Sequence, residues 1–358
     1  MSKEKTIAVI GVTGIQVSLL LSSAAYKGPR WYSRLFYQGA SVARTFLKLP
    51  GWKVRGITRD TKKEAAEEMT AQGVELVRAD LDDQASLLEA FRGASAIFAN
   101  TDFFLHLFAA LDMGEDQLRG QTPNQYAYRR EVEQNLNAAA AASEPSVLKT
   151  LDRFVLSSLG DARTLSGGKY ETVYHFDSKA EVTRVIKSKY PELASRMSCL
   201  HVGHYASNWK AFPSMAPQKQ TDGTFLALRP VSDKLVMPFI DAYRDVGRFV
   251  KALVIDVPPG KELLGVSQYM TWPEWMRVWG DVLGVSAAFK QVSPDEFFTG
   301  VPEPLKRELA DTYSYAEEYG YKGGDPNVVE AVDLGIHIPV TSMAEYIKGE
   351  DWSSVLNP

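Results

Sequence analysis

The short run Thr6-Ile-Ala-Val-Ile10, followed by Gly11-Val12-Thr13-Gly14-Ile15-Gln16, constrains this chain more than any other stretch. Four apolar residues in five, closed by glycines, read as a buried parallel strand opening into a tight turn at its carboxyl end. A phosphate-holding turn of this kind wants a third glycine three positions later. There a helix begins, and its unpaired N–H groups can face an anion. Position 17 is Val instead, and the expected continuation appears at Gly39-Ala-Ser-Val-Ala-Arg-Thr-Phe-Leu47, with helical apolar spacing. The 22 residues between, 17–38, begin Val-Ser and end in Gln, as an in-frame retained intron does; the alternative is a loop peculiar to this lineage. Without them the turn reads Gly-Val-Thr-Gly-Ile-Gln-Gly, with strand, turn and helix at ordinary lengths.

The chain has 358 residues, of which 45% are hydrophobic, enough for one large or two modest domains. Its net charge is −4 and its 40 basic residues are scattered, so direct nucleic-acid binding is not expected. A single cysteine, Cys199, argues against a disulfide framework, and no metal site is expected. No apolar run approaches the roughly 18 residues that span a bilayer, and the charged start Met1-Ser-Lys-Glu-Lys5 leads directly into a strand. The expectation is a soluble, cytoplasmic protein with a small-molecule partner and no membrane partner.

Further strands are expected at 52–58, 74–77, 94–99, 153–158 and 197–202. Helices are expected from Gly39, at 62–72, 84–91, 126–142 and 179–190, with a variable helical insert over 103–124. Alternation of short apolar strands with helices implies an α/β fold, a doubly wound parallel sheet. The alternation fails from about Gly203, which suggests a dinucleotide-binding domain over 1–203 and a smaller C-terminal α+β domain over 204–358 sharing part of the sheet edge. Trp272, Trp275 and Trp279, spaced i, i+3, i+7, read as the core-facing stripe of a helix.

Candidate chemistry lies mostly at strand ends. Arg59 falls 20 residues after Gly39, where an arginine suits the 2′-phosphate of NADP as an acidic residue suits the ribose of NAD. Lys63, one helical turn on, offers a second cation. Asp80 suits either an adenine contact or a helix N-cap, and Thr101 lies where backbone passes near a pyrophosphate. In His175-Phe-Asp-Ser-Lys179, lysine stands where short-chain dehydrogenases carry the Lys of Tyr-xxx-Lys, but the tyrosine position is His175. Tyr174 is one residue off and would point about 100° away on a helix. Histidine can serve as a general acid near neutral pH. The alternative is a helix-start residue without a chemical role. Ser158 follows a strand where a carbonyl-polarising serine would stand. Tyr205 and Asn208 lie in a loop that would cross the nicotinamide end; His106, His201 and His337 read as structural.

Taken together the chain resembles the NmrA-like family of atypical short-chain dehydrogenases. The resemblance rests on the spliced turn, Gly51-Trp-Lys-Val-Arg-Gly-Ile-Thr-Arg-Asp60, Asn100-Thr-Asp-Phe103 and His175-Phe-Asp-Ser-Lys179. It extends to Asp245-Val-Gly247, Thr271-Trp-Pro-Glu-Trp275, Gly320-Tyr-Lys-Gly-Gly-Asp325 and Asp351-Trp352. It implies a Rossmann domain that binds NADP(H), held by Gly11, Val12, Thr13, Gly14, Ile15, Gln16, Gly39, Arg59, Lys63, Asp80, Thr101, Lys179, Tyr205 and Asn208. Lys179, His175 and Ser158 are the catalytic candidates. The family contains reductases of secondary-metabolite pathways and also non-catalytic redox sensors that act on a protein partner, and both readings stay open here.

Overall fold

The structure is a computed structural model that describes residues 4–13 and 38–358. Its strands are β1 (Lys5–Ile10), β2 (Trp52–Thr58), β3 (Glu75–Arg78), β4 (Ala96–Ala99), β5 (Arg153–Ser158), β6 (Met197–Val202) and β7 (His204–Tyr205). They continue with β8 (Gln218–Lys219), β9 (Phe225–Arg229), β10 (Val236–Ile240), β11 (Glu262–Gly265), β12 (Gln268–Thr271), β13 (Ala287–Gln291) and β14 (Val328–Val329). Eight of them form one sheet in the order β14-β11-β6-β5-β4-β1-β2-β3, and every pairing in it is parallel. The chain runs outward from β1 to β3 on one side and returns to β4 on the other. That reversal opens a crevice above the carboxyl ends of β1 and β4.

The sheet is buried on both faces, as continuous apolar strands require. Ile7, Val9 and Phe98 pack under helix Gln38–Phe46 on one face; Ala8, Ile97 and Phe154 pack under helices Gln84–Phe91 and Pro123–Ala142 on the other. The turn after β1 is tight. Gly11 has φ +73°, and a Cβ on Gly39 would lie 2.6 Å from the Gly11 carbonyl carbon and oxygen. Only glycine lets the helix approach the strand end so closely. Gly39 therefore occupies the third-glycine position although 27 residues of chain separate it from Gly11.

Two smaller sheets, β12-β10-β7 and β13-β9-β8, mix parallel and antiparallel pairs. The alternation does weaken after Gly203, yet β11 and β14 still extend the main sheet, with Leu263 in register with Leu200. Trp272, Trp275 and Trp279 all lie buried on helix Trp272–Leu283, as their spacing predicts. Thr271 and Glu274 close its N-terminus as a capping box. Trp352 joins this cluster and stacks on Trp209 at 4.2 Å, so the end of the chain is pinned to it.

Several element boundaries differ from expectation: the helices expected at 62–72 and 126–142 are Glu64–Ala71 and Pro123–Ala142, and the one expected from Gly39 starts at Gln38. β3 starts one residue later and β4 two residues later than the apolar runs suggest. The helix expected from Lys179 starts at Tyr174 and runs to Lys189. Its cap residue Val173 makes no side-chain cap. Instead the backbone N–H of His175 donates to the carboxylate of Glu308, from helix Glu303–Tyr319, at 2.9 Å. The capping partner is 133 residues away, which local sequence could not reveal. The 103–124 stretch forms helices Phe103–Leu111 and Glu115–Leu118.

Candidate active site

Two adjoining cavities follow the carboxyl edge of the sheet and share Asn100, Thr101 and Asp102. The first is walled by Gly11 and Thr13 after β1, Thr58 at the end of β2 with Arg59 and Lys63 after it, and Asp80 after β3. Among the described residues no carboxylate is paired with Arg59 or Lys63. Burial lowers the Lys63 ammonium below its usual range, and the neighbouring Arg59 charge lowers it further, against a smaller opposing effect of Asp60. Two cations held side by side in a concave wall, neither in an ion pair among the described residues, suit an anion with several oxygens.

Thr13 and Thr58 are hydrogen bonded at 3.0 Å, tying the first turn to the end of β2. Asp80 accepts the Asp82 backbone N–H at 3.0 Å. The helix Gln84–Phe91 is capped by Asp83, so the N-cap alternative for Asp80 is corrected: Asp80 sits one turn too early. The Val12 side chain is also not a wall of either cavity. It is fully buried beneath β2, against Gly56, which leaves only its backbone facing the turn. Gly14, Ile15 and Gln16 lie outside the described residues. Gln38, placed at the end of the inserted segment from the sequence, is instead the first residue of helix Gln38–Phe46 and donates to the Tyr205 hydroxyl. Because residues 16 and 38 are both Gln, the same turn results from setting aside 16–37 in place of 17–38.

The second cavity is lined by Ser158, His175, Lys179, Tyr205 and Asn208, brought together from three stretches of the sequence, and by an apolar wall of Phe103, Phe104, Phe176, Phe212, Met215 and Met237. Ser158 Oγ lies 3.2 Å from Thr183 Oγ1. Tyr174, turned away as the helical spacing predicts, packs against Tyr128. Lys179 Nζ pairs with Glu131, which is fully buried on helix Pro123–Ala142 and also accepts from Thr101 Oγ1 and Ser178 Oγ. Burial alone would raise the Glu131 carboxyl; the Lys179 ammonium and these hydroxyls more than offset it and hold the group below its ordinary range. His175 Nδ1 lies 2.6 Å from Glu308 Oε1, and Glu308 Oε2 accepts from Asn124 Nδ2 at 2.9 Å.

Glu131, Glu308 and Asp102 carry much of this geometry and were not singled out from the sequence. Glu131 and Glu308 lie on long helices among other acidic residues, and only burial distinguishes them. Asp102 offered a weak signal, directly after Thr101 at a strand end. Its Oδ1 accepts the Leu105 N–H and caps helix Phe103–Leu111, while Oδ2 is buried with no partner among the described residues. Burial pushes its carboxyl up to about 7, and the Glu131 charge adds to the shift.

A profile of the NmrA-like family matches residues 37–347. The chain belongs to the NmrA-like family. The match begins at residue 37, one residue before helix Gln38–Phe46 and at the very end of the anomalous segment. Among curated relatives, the NmrA-like family domain-containing oxidoreductase hkm9 of Aspergillus hancockii is 27% identical over 279 residues, covering 74% of this chain and 76% of that protein. The oxidoreductase himF of Aspergillus japonicus is 23% identical, covering 78% and 80%. Among solved structures, the negative transcriptional regulator NmrA superposes with a TM-score of 0.68 at 19% identity, covering 97% of this chain and 95% of NmrA. NmrA has also been solved with NADP and with NAD. These superpositions establish the shared fold of this family member, an eight-stranded Rossmann sheet with smaller mixed sheets. Among the described residues no helix is long and apolar enough to cross a membrane.

Proposed function

We propose that this protein is an NADP(H)-dependent oxidoreductase that reduces a carbonyl or conjugated double bond in a small organic metabolite, in a cytoplasmic secondary-metabolite pathway. One observation carries the reading: a single groove has an unpaired cation pair, Arg59 and Lys63, at one end and His175 with Lys179 at the other. The residues fit the cofactor. Gly11, packed against Gly39, lines the cavity where a pyrophosphate would lie, and Arg59 and Lys63 offer a 2′-phosphate site, with Asp80 near the adenine. Thr101, Lys179, Tyr205 and Asn208 surround the nicotinamide end. A bound nicotinamide would supply hydride. Lys179, anchored by Glu131, orients the ribose; His175 delivers a proton; Ser158 polarises the acceptor; and the phenylalanine and methionine walls exclude water and favour an apolar ligand. In this reading residues 1–203 form the cofactor-binding domain, with Tyr205 and Asn208 reaching the nicotinamide end from 204–358, which also adds Phe212, Met215 and Met237 to the substrate side.

The second reading is a redox sensor that binds NADP(H) without turnover and acts on a protein partner. It is favoured by the likeness to the regulator NmrA and by histidine standing in place of the tyrosine. NADPH oxidation measured against a panel of ketones and enones, beside NADPH affinity by fluorescence, separates the two. Turnover supports the oxidoreductase; tight binding without oxidation of any panel member overturns it in favour of the sensor.

A further inference from the structure

We propose that Glu308 is a positioning residue that holds His175 as the proton donor of the site, a carboxylate–imidazole dyad in place of the tyrosine of Tyr-xxx-Lys. The inference rests on the oxidoreductase reading above and adds to it a named proton source. Three observations converge on Glu308. It is fully buried, 0% exposed, yet three donors meet it: the His175 backbone N–H at 2.9 Å, Asn124 Nδ2 at 2.9 Å and His175 Nδ1 at 2.6 Å. An ionised carboxylate only accepts, so Nδ1 must carry a proton and Nε2 is left for chemistry. Because one Glu308 oxygen accepts from both the backbone and the ring of His175, backbone placement and ring rotation are fixed together.

The surroundings suit proton delivery. The imidazole is enclosed by Phe176 at 4.8 Å and Phe104 at 5.1 Å between ring centroids, and His175 lines the same cavity as Lys179 and Ser158. A charge pair in an apolar, water-poor setting interacts more strongly than one in bulk water. The other titratable groups lining that cavity are Asp102 beside helix Phe103–Leu111, Lys179 on the same helix as His175, His204 and Tyr205 after β6, and Tyr313, Tyr315 and Tyr321 from the C-terminal region. Of these, Lys179 is already neutralised by Glu131.

The reduction then balances. Hydride brings two electrons to the substrate carbon, the C=O π bond breaks, and the new O–H bond takes its proton from Nε2 of the imidazolium. His175 is left neutral with its proton on Nδ1, still bonded to Glu308, and is reprotonated from solvent.

The decisive comparison is wild type against Glu308→Gln, which keeps the shape and an acceptor but removes the charge. Expected are a fall in kcat of about tenfold or more, NADPH affinity within about twofold, and a basic limb of the pH–kcat profile that moves to lower pH. An unmoved profile with undiminished kcat overturns the proposal, since packing alone would not shift it. Nitrogen-15 NMR of the wild-type histidines supplies a readout that needs neither turnover nor the variant's folding. The Nδ1–H tautomer is expected for His175, and an Nε2–H tautomer overturns the dyad whatever the kinetics. If the Nδ1–H tautomer is found but no substrate is turned over, the oxidoreductase reading falls and proton delivery falls with it.

Discussion

At the residue scale the groove has groups whose ionisation the fold has altered. Asp102 ordinarily titrates near 3.9 when unfolded, and burial raises it to about 7. The folded state therefore binds a proton that the unfolded state releases. The stabilisation from that proton is fully present below about pH 4 and is lost as pH rises through about 7. Asp102→Asn keeps the helix cap, because asparagine caps as well as aspartate, and removes the titration. The variant should gain stability over wild type at pH 8 but not at pH 4, which denaturant unfolding at the two pH values would reveal. Arg59 and Lys63 act differently, through charge they have not yet spent on a partner. Replacing either by Ala should weaken NADPH binding about tenfold, the worth of a charge-assisted hydrogen bond, and leave NADH binding nearly unchanged. Equal losses for both dinucleotides, measured by fluorescence titration, would remove the 2′-phosphate assignment.

At the scale of elements, the site is made by helices that hold one another's polar groups. Helix Pro123–Ala142 brings Glu131 to Lys179 of helix Tyr174–Lys189, and helix Glu303–Tyr319 brings Glu308 to the first turn of the same helix. Removing one member of a buried pair leaves a bare charge. Lys179→Met should cost about 3–5 kcal/mol in unfolding free energy, and adding Glu131→Gln should recover most of it. The double variant thus separates the stabilising role of Lys179 from its role toward the cofactor: it should be stable yet bind NADPH poorly. Recovery of stability together with full affinity would show that Lys179 serves only the fold. Gly39→Ala tests the helix–turn contact directly. Its added methyl would meet backbone rather than a movable side chain, so a loss of about 1–3 kcal/mol is expected, with weakened dinucleotide binding.

At the scale of the whole molecule, the parallel sheet brings distant segments to one edge. Gly39 lies against Gly11 as the third glycine of a compact turn would, so the first strand and helix are in direct contact. A shortened chain that joins Ile15 to Gln38 should therefore fold with unfolding stability at least equal to the full chain and bind NADPH more tightly. Loss of cooperative unfolding on shortening would show that the segment belongs to the fold.

Much of this protein was legible in its sequence because the signals are local. The six leading strands, the glycine turn and the tryptophan stripe follow from apolar periodicity and from backbone conformations that few residues tolerate. Arg59, Lys63, Asp80, Thr101, Ser158, His175, Lys179, Tyr205 and Asn208 could be singled out by their places at strand ends and helix starts, because a parallel sheet delivers all such ends to one edge. Three-dimensional packing alone decided what those residues touch. Glu308 caps a helix from 133 residues away, Glu131 neutralises Lys179 from 48 away, Asp83 rather than Asp80 caps its helix, and Val12 turns into the core. Ionisation, capping and charge pairing depend on burial and on partners remote in the chain, and no periodicity records either.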